Sequence, residues 1–318
     1  MKKTFNGTWL VLLVYFVTAM VAIAAPPVKA PKPLKIGYAL GLTKVTAEQM
    51  KYAKSVGVDY VEISLGGLID GNRNFKLSDE EMTELMHKAK RAADDAGIKV
   101  WSIHMPFGKH IDLSLTDEAE RRQVVALHRK VLAYCQILQP EVILFHPSYY
   151  LGLNEREARK KQLVKSATEL NKSVRSMKAM MVIENMLGPE LLVDAERERP
   201  LCRTVEETVE IMNRLPKNIY AAVDMNHIKN PENLIRALGK RLKSVHIADG
   251  TGEAENHFFP CSGQGSNNWT EILAALHEAR YTGPFMFESA FEDARELKAC
   301  YEAMHNVYVE EKQLQSRK

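Results

Sequence analysis

Eight short apolar runs, each followed by a stretch of helical periodicity, are what any fold for this chain must accommodate. The runs are LKIGYAL (34–40), VDYVEISL (58–65), KVWSIHM (99–105), VILFH (142–146), MMVIEN (180–185), YAAVD (220–224), KSVHIAD (243–249) and PFMFES (284–289). They are rich in Val, Ile and Phe and read as continuous apolar segments, the pattern of strands covered on both faces. The stretches between them carry helix signals. Thr46-x-x-Gln49, Ser78-x-x-Glu81 and Thr204-x-x-Glu207 fit capping boxes, in which two unpaired amide donors are satisfied reciprocally. Asn230 before Pro231 fits an N-cap with proline at the first helical position. Gly57 and Gly97 fit helix stops.

Strands alternating with helices predict a parallel sheet. Eight such units over residues 34–318 predict an α/β fold of the (β/α)8 TIM barrel type, in one domain. An open doubly wound sheet is the rival, but it would want G-x-G-x-x-G after the first strand, and YALGLTK has none. Hydrophobic residues at 46% and charged residues at 26% are ordinary for a globular chain.

The N-terminus stands apart. Lys2 and Lys3 precede the uncharged run WLVLLVYFVTAMVAIA and an A-x-A exit at Ala22-Ile23-Ala24, the layout of a secretory signal peptide over residues 1–25. A retained anchor is the alternative reading of that run. Residues 26–33 follow as a proline-rich spacer. The expected location is therefore outside the cytoplasm, in the periplasm, with no membrane contact beyond the leader. Without residues 1–24 the chain keeps 41 Lys and Arg against 40 Asp and Glu, a net +1. So small a charge argues against a nucleic-acid partner, which usually needs a basic face. A homo-oligomer is compatible with everything here. Cys135, Cys202, Cys261 and Cys300 show no C-x-x-C pair and no zinc-finger spacing. They are expected to be free, with Cys135 and Cys300 packed on helices, although export would permit disulfides.

In a barrel, catalytic groups sit at the C-terminal ends of the strands. Here those ends carry Glu62, His104, His146, Glu184, Asp224, His246 and Glu288. One buried His or Glu is readily a hydrogen-bonded core group. Seven converging on one mouth would cost several kcal/mol each unless something compensates, and a divalent cation compensates best. Carboxylate and imidazole without thiolate suit Mn, Co, Fe, Mg or Zn and do not choose among them.

The ends VIENM, VDMNH, SVHIAD and MFESA resemble the xylose isomerase-like TIM barrels. That grouping includes sugar isomerases and epimerases and the endonuclease IV type of apurinic-site endonuclease. The resemblance runs from about Leu34 to Tyr308, and its most specific part is D-x-x-H on the sixth strand with Glu, His and Glu on the fifth, seventh and eighth. It implies one divalent metal on Glu184, Asp224, His246 and Glu288, with Glu184 and Glu288 also the acid/base pair. His227 would lie close to the substrate, and His104, His146, His257 and Glu62 are further candidates to line the site. The implied activity is isomerisation or epimerisation of a sugar or keto-sugar. A metal polarises the carbonyl, one carboxylate removes the adjacent proton and another returns it. A hydride shift remains an open route.

The pattern also departs from its relatives. Ketose 3-epimerases place an arginine six residues beyond the metal histidine, where Gly252 stands; many sugar-phosphate members carry H-x-K-D, and Ala248 replaces that lysine. Both changes remove a cation and favour an uncharged or unusual sugar over a phosphorylated one. Endonuclease IV-like phosphodiester hydrolysis is an alternative. Its ligand set would map to His104, His146, Glu184, Asp224, His227, His246, Glu255, His257 and Glu288, with Glu255 where that family uses Asp. A metal-dependent 3-keto-sugar lyase would use the same base and metal, and a non-catalytic sugar-binding barrel needs no paired carboxylates. Phe107 and Tyr149 are expected to shape the pocket, Trp101 and Trp269 to pack. His87, His128, His277 and His305 fall in helical stretches and receive no role. DAERERP (194–200) reads as a solvated loop of a length that suits a lid.

Overall fold

The computed structural model describes residues 31–315. The predicted signal peptide (1–25) and residues 26–30 of the spacer lie outside the described residues. The eight apolar runs are all strands: β1 Ile36–Gly41, β2 Tyr60–Ser64, β3 Lys99–His104, β4 Val142–Phe145, β5 Met180–Glu184, β6 Ile219–Asp224, β7 Leu242–His246 and β8 Phe285–Phe287. Each is followed by a helix: α1 Ala47–Ser55, α2 Asp79–Ala96, α3 Glu118–Leu138, α4 Arg156–Ser176, α5 Val205–Arg214, α6 Pro231–Leu238, α7 Trp269–Glu278 and α8 Arg295–Gln315.

All neighbouring pairs in the sheet are parallel, in the order β8-β1-β2-β3-β4-β5-β6-β7. The ends of the sheet are joined by a bridge between Ile247 and Phe287, with Ile247 N–H donating to the Met286 carbonyl at 2.8 Å. The two end strands thus meet at a single bridge, which nearly closes the barrel and leaves little exposed sheet edge. Two apolar layers result. A small cluster that includes Trp101, Val142, Leu144, Val182, Ala222 and Met286 fills the barrel interior. A larger one, with Ile63, Ile103, Ile143, Ile183 and Val223, joins the outer faces of the strands to the helices. The strands are therefore buried on both faces, which explains the absence of clean alternation in the sequence.

Ser78 and Glu81 form the predicted capping box on α2, and Gly97 closes that helix at φ 69°. Thr46 and Thr204 make only their half of the motif, accepting from Gln49 and Glu207 backbone N–H groups. Gln49 instead donates to the Tyr38 hydroxyl, and Glu207 turns to Arg156. Asn230 is the N-cap of α6 with Pro231 at the start of the helix, as expected, but at φ 53° its side chain makes no cap hydrogen bond.

Two other expectations are corrected. Cys261 and Cys300 are joined in a disulfide, which ties the turn before α7 to α8, while Cys135 and Cys202 are free and buried. Tertiary packing of the mouth loop against α8 brings the two together across 39 residues, and no spacing rule reveals that. The stretch 194–200 is no loose lid: Arg197–Glu198 pairs antiparallel with Leu151–Gly152, and Arg156 holds Glu198, Glu207 and the carbonyls of Arg199 and Pro200.

Candidate metal centre at the barrel mouth

Strand alternation delivers the site. In β4, β5, β6 and β8 an interior apolar residue is followed two positions later by an ionisable one: Leu144 by His146, Val182 by Glu184, Ala222 by Asp224, Met286 by Glu288. Side chains two apart on a strand share a face, so the same face that packs the barrel becomes the mouth. His246 follows Ser244 in the same way, and Asp224 pairs in register with His246 across β6 and β7.

His246 is the centre. Its Nδ1 lies 2.6 Å from both Glu184 Oε1 and Glu288 Oε2, and its Nε2 lies 2.9 Å from Glu62 Oε1. Glu184, Asp224, His246 and Glu288 each bring a ligand atom within 4.8 Å of the others. Despite the short approaches, Glu184 Oε1 and Oε2, Asp224 Oδ2 and both His246 nitrogens are buried without a hydrogen-bond partner. On the mouth side of the ring, His246 Nδ1 and the carboxylates of Glu184, Asp224 and Glu288 lie close enough together to share one cation.

Two flanking groups share ligands with this set. His104, His146 and Glu184 form one, Asp224, His227 and His257 the other. The Nε2 atoms of His104 and His146 face each other at 3.2 Å. His104, His227 and His257 each place Nδ1 near 3 Å from a backbone carbonyl, of Met105, Asn185 and Glu288 respectively. Donation from Nδ1 leaves Nε2 turned to the site, the arrangement that orients imidazole ligands of a metal.

The electrostatics follow from this crowding. Burial alone would raise the Glu184 carboxyl, but the His246 and His146 rings outweigh it and hold the group well below the usual carboxylate range. Glu288 is likewise brought to about 2, chiefly by His246 against the effect of burial. Asp224 goes the other way: its burial prevails over His227 and His257 and raises it. Burial disfavours charge on His227 and His257, yet Asp224 and Glu255 lift them to about 10 and about 9.

Several positioning residues were not singled out from the sequence. Asn185 accepts from the Asp224 N–H at 2.8 Å and donates to the Asp224 carbonyl at 3.2 Å, locking the ends of β5 and β6 together. Asn226 accepts from the Asn256 and His257 N–H groups, both at 3.1 Å, and fastens the loop that carries Glu255 and His257. Asp249 accepts from Gly250 N–H, Asn267 N–H and Trp269 Nε1, pinning the glycine turn before α7. A Cβ on Gly265 would come 1.9 Å from Asp249 Oδ1, so only glycine fits that approach. Their signal was present as the Asn of VIENM and VDMNH, but amide side chains are common at turns and carry no chemistry of their own. At Gly252 the backbone has φ +73° and a Cβ would meet the Lys229 nitrogen at 2.5 Å. The absence of the relatives' arginine there is built into the path of the loop.

Above the centre lies a cavity of about 490 Å³. His104, His146, Glu184, His227, Glu255, His257 and Glu288 line it, as do Phe107 and Tyr149. Asp224 and His246 are fully buried and do not line it. Of the two roles open to Glu62, contact with substrate or support of a site residue, the structure has the second: it is fully buried and does not line the cavity, the Ser102 hydroxyl donates to its Oε2 at 2.5 Å, and its Oε1 faces His246. Its position inside β2, two residues before the strand end, puts it one layer below the mouth. His128 is corrected: it points inward from α3 into the cavity wall, with Nε2 at 3.1 Å from the Ile111 carbonyl. Burial lowers its pKa to about 4 and keeps it neutral.

Comparison with known proteins places this architecture. A search of curated proteins finds no match. Among solved structures, a D-tagatose 3-epimerase-like protein aligns with TM-score 0.67 and 21% identity over 86% of this chain and 98% of that one. A 3-keto-D-glucoside 4-epimerase from E. coli aligns with TM-score 0.63 and 15% identity over 86% of this chain and 99% of its own. A D-psicose 3-epimerase aligns with TM-score 0.62 and 17% identity over 87% and 96%. At these identities the likeness is one of fold. The sequence profile of the xylose isomerase-like TIM barrel matches residues 50–305, and the chain belongs to that family.

Proposed function

We propose that this protein is an isomerase or epimerase of a neutral sugar or keto-sugar, working with a divalent metal held by Glu184, Asp224, His246 and Glu288. The observation that carries the metal is the set of buried, unpartnered donor atoms converging within 4.8 Å. Carboxylates and imidazole without thiolate fit Mn, Co, Mg or Zn. When bound, the cation supplies polarisation of a substrate carbonyl, which acidifies the hydrogen on the neighbouring carbon.

The chain's own residues do the rest. Glu184 and Glu288 come from strands three places apart round the barrel and both face the cavity. One carboxylate removes the proton and the other returns it. Return on the opposite face of the same carbon is epimerisation, and return to the neighbouring carbon is aldose–ketose isomerisation. Glu288 is the more accessible of the two. His227 lines the cavity and offers Nε2 to a substrate oxygen. The sugar epimerases among the structural neighbours support this reading. The test is incubation of the metal-loaded protein with ketoses and 3-keto-glucosides in deuterated water. Carbon-bound deuterium in substrate or product is the expected result; none across the panel removes the proposal.

A second reading has one observation in its favour. The flanking groups His104–His146–Glu184 and Asp224–His227–His257 offer two more metal positions, as a phosphodiesterase of the endonuclease IV type would need. Against it, no Lys or Arg lines the cavity among the described residues, and a nucleic-acid backbone calls for cations. Elemental analysis decides. About one metal per chain supports the sugar enzyme; about three, mostly zinc, supports hydrolysis of a phosphodiester.

Export to the periplasm is part of the same proposal. The leader pattern supports it, as does the Cys261–Cys300 disulfide, a bond that persists in oxidising compartments.

A further inference from the structure

We infer that the cavity holds a second, apolar subsite beside the reacting centre, and that the substrate is a neutral keto-sugar bearing a flat apolar substituent, most simply a glycoside with an aromatic aglycone. The inference rests on the sugar-enzyme reading for the identity of the reacting part. The subsite itself stands on the cavity wall.

That wall mixes two kinds of residue. His104, His146, Glu184, His227, Glu255, His257 and Glu288 bring ionisable groups at and beyond the strand ends. The loops after β3 and β5, together with the end of β4, add the apolar side chains Phe107, Leu113, Phe145, Met186, Leu187 and Pro200. Of the polar residues beside these apolar ones, Asp112 and Ser148 are already committed. Asp112 accepts from the Ser114 N–H and hydroxyl, the Tyr149 N–H and Arg159. The Ser148 hydroxyl accepts from Leu201 N–H at 2.8 Å. His128 keeps one unpartnered ring nitrogen, Nδ1, enough for one hydroxyl. Sugar hydroxyls set against Leu113, Phe145, Met186, Leu187 or Pro200 would be left unpaired, at a cost for each. An apolar ring would not.

Phe107 marks the entrance to this apolar part. It is 51% exposed, a large aromatic surface open to water at the rim of a polar site. One face stacks on the His146 ring at 4.1 Å between centroids and 28° between planes. Its ring also contacts His104 at 5.4 Å between centroids, and the exposed part of its surface could take a second flat group in the offset geometry that aromatic pairs favour. With about 490 Å³ the cavity falls in the range of roughly 300–1,000 Å³ that holds drug-sized ligands, and so has space for a sugar together with a substituent. The absence of Lys and Arg from its lining leaves nothing to pair with a phosphate.

The test uses inert probes, so that binding is read apart from turnover. Phenyl and methyl glucopyranosides, in both anomers, and glucose 6-phosphate are titrated calorimetrically into the manganese-loaded protein. One phenyl anomer is expected to bind about tenfold or more tightly than its methyl counterpart, from the apolar area a phenyl ring buries. Phe107→Ala should erase most of that preference while its metal content stays that of the parent protein. Leu187→Gln, which places an amide in the same wall, should do so too if the Phe107 variant expresses poorly. Equal affinity of phenyl and methyl glucosides, or tighter binding of the phosphate, overturns the inference, whatever the deuterium exchange shows. A phenyl preference without exchange of deuterium into any sugar retains the subsite and removes the isomerase reading instead.

Discussion

Glu62 Oε1 stands 2.9 Å from His246 Nε2, on the opposite side of the ring from Glu184 and Glu288. One imidazole is thus gripped between a carboxylate from the interior of the barrel and two at its mouth. Glu62 has no access to the cavity, so its role is to aim the His246 ring. Replacing it with Gln keeps the volume but weakens the grip. Metal affinity is expected to fall roughly 10–100-fold, the usual effect of losing a partner behind a ligand, with the far-ultraviolet circular dichroism unchanged. Competition titration against a metal indicator measures it, and parental affinity would assign Glu62 to packing alone.

Glu288→Gln removes a carboxylate that is a metal ligand and half of the acid/base pair in the proposed reaction. Its side chain is partly open to solvent, so the fold should persist. Turnover is expected to vanish. Activity at the parental level in this variant would be incompatible with the assignment.

Metal binding should be strongly pH dependent. Burial notwithstanding, the surrounding carboxylates raise His227 to about 10 and His257 to about 9 in the metal-free protein. Both rings are therefore charged at neutral pH and must lose protons to act as ligands. If the flanking positions take metal, binding there tightens as pH rises and releases protons, which calorimetry in buffers of different ionisation enthalpy detects. For stability the sign is the reverse. A raised folded pKa contributes stability that is complete below the unfolded value near 6.5 and is lost as pH passes about 9 to 10. The melting temperature of metal-free protein should fall across that window. The same scan with metal bound should be flatter.

The Cys261–Cys300 bond joins the turn that follows Glu255 and His257 to α8. Cross-linking across 39 residues should stabilise the protein by about 2–4 kcal/mol. Cys300→Ser is expected to lower the denaturant midpoint accordingly. It should also loosen His257 more than Glu184, read as weaker binding at the flanking position with the central one unchanged. A midpoint unmoved by the substitution or by reduction would mean the bond contributes nothing.

Asn226 holds the same loop from the other side, through two backbone N–H groups. Asn226→Ala would leave both donors without their acceptor, at about 1–3 kcal/mol where they are buried. Hydrogen exchange at Asn256 and His257 should accelerate selectively, and uniform protection would contradict the tether.

The sequence by itself determined the barrel and the ring of groups at its mouth. Eight apolar runs spaced by helices admit few closed arrangements, and a strand's two-residue period forces Glu184, Asp224, His246 and Glu288 onto the inward face once Val182, Ala222, Ser244 and Met286 are inside. These are local constraints, so they are written locally. What the tertiary structure decided is everything that depends on groups meeting across the chain. Glu62 proved to be a support for His246 because β2 carries it one layer below the mouth. His128 enters the cavity wall because α3 presents it inward. Cys261 finds Cys300 only after the mouth loop folds back on α8. The apolar residues that join the ionisable ones in the cavity wall likewise come from which loops lean over which strand ends. Such contacts join residues tens of positions apart, and no periodicity records them.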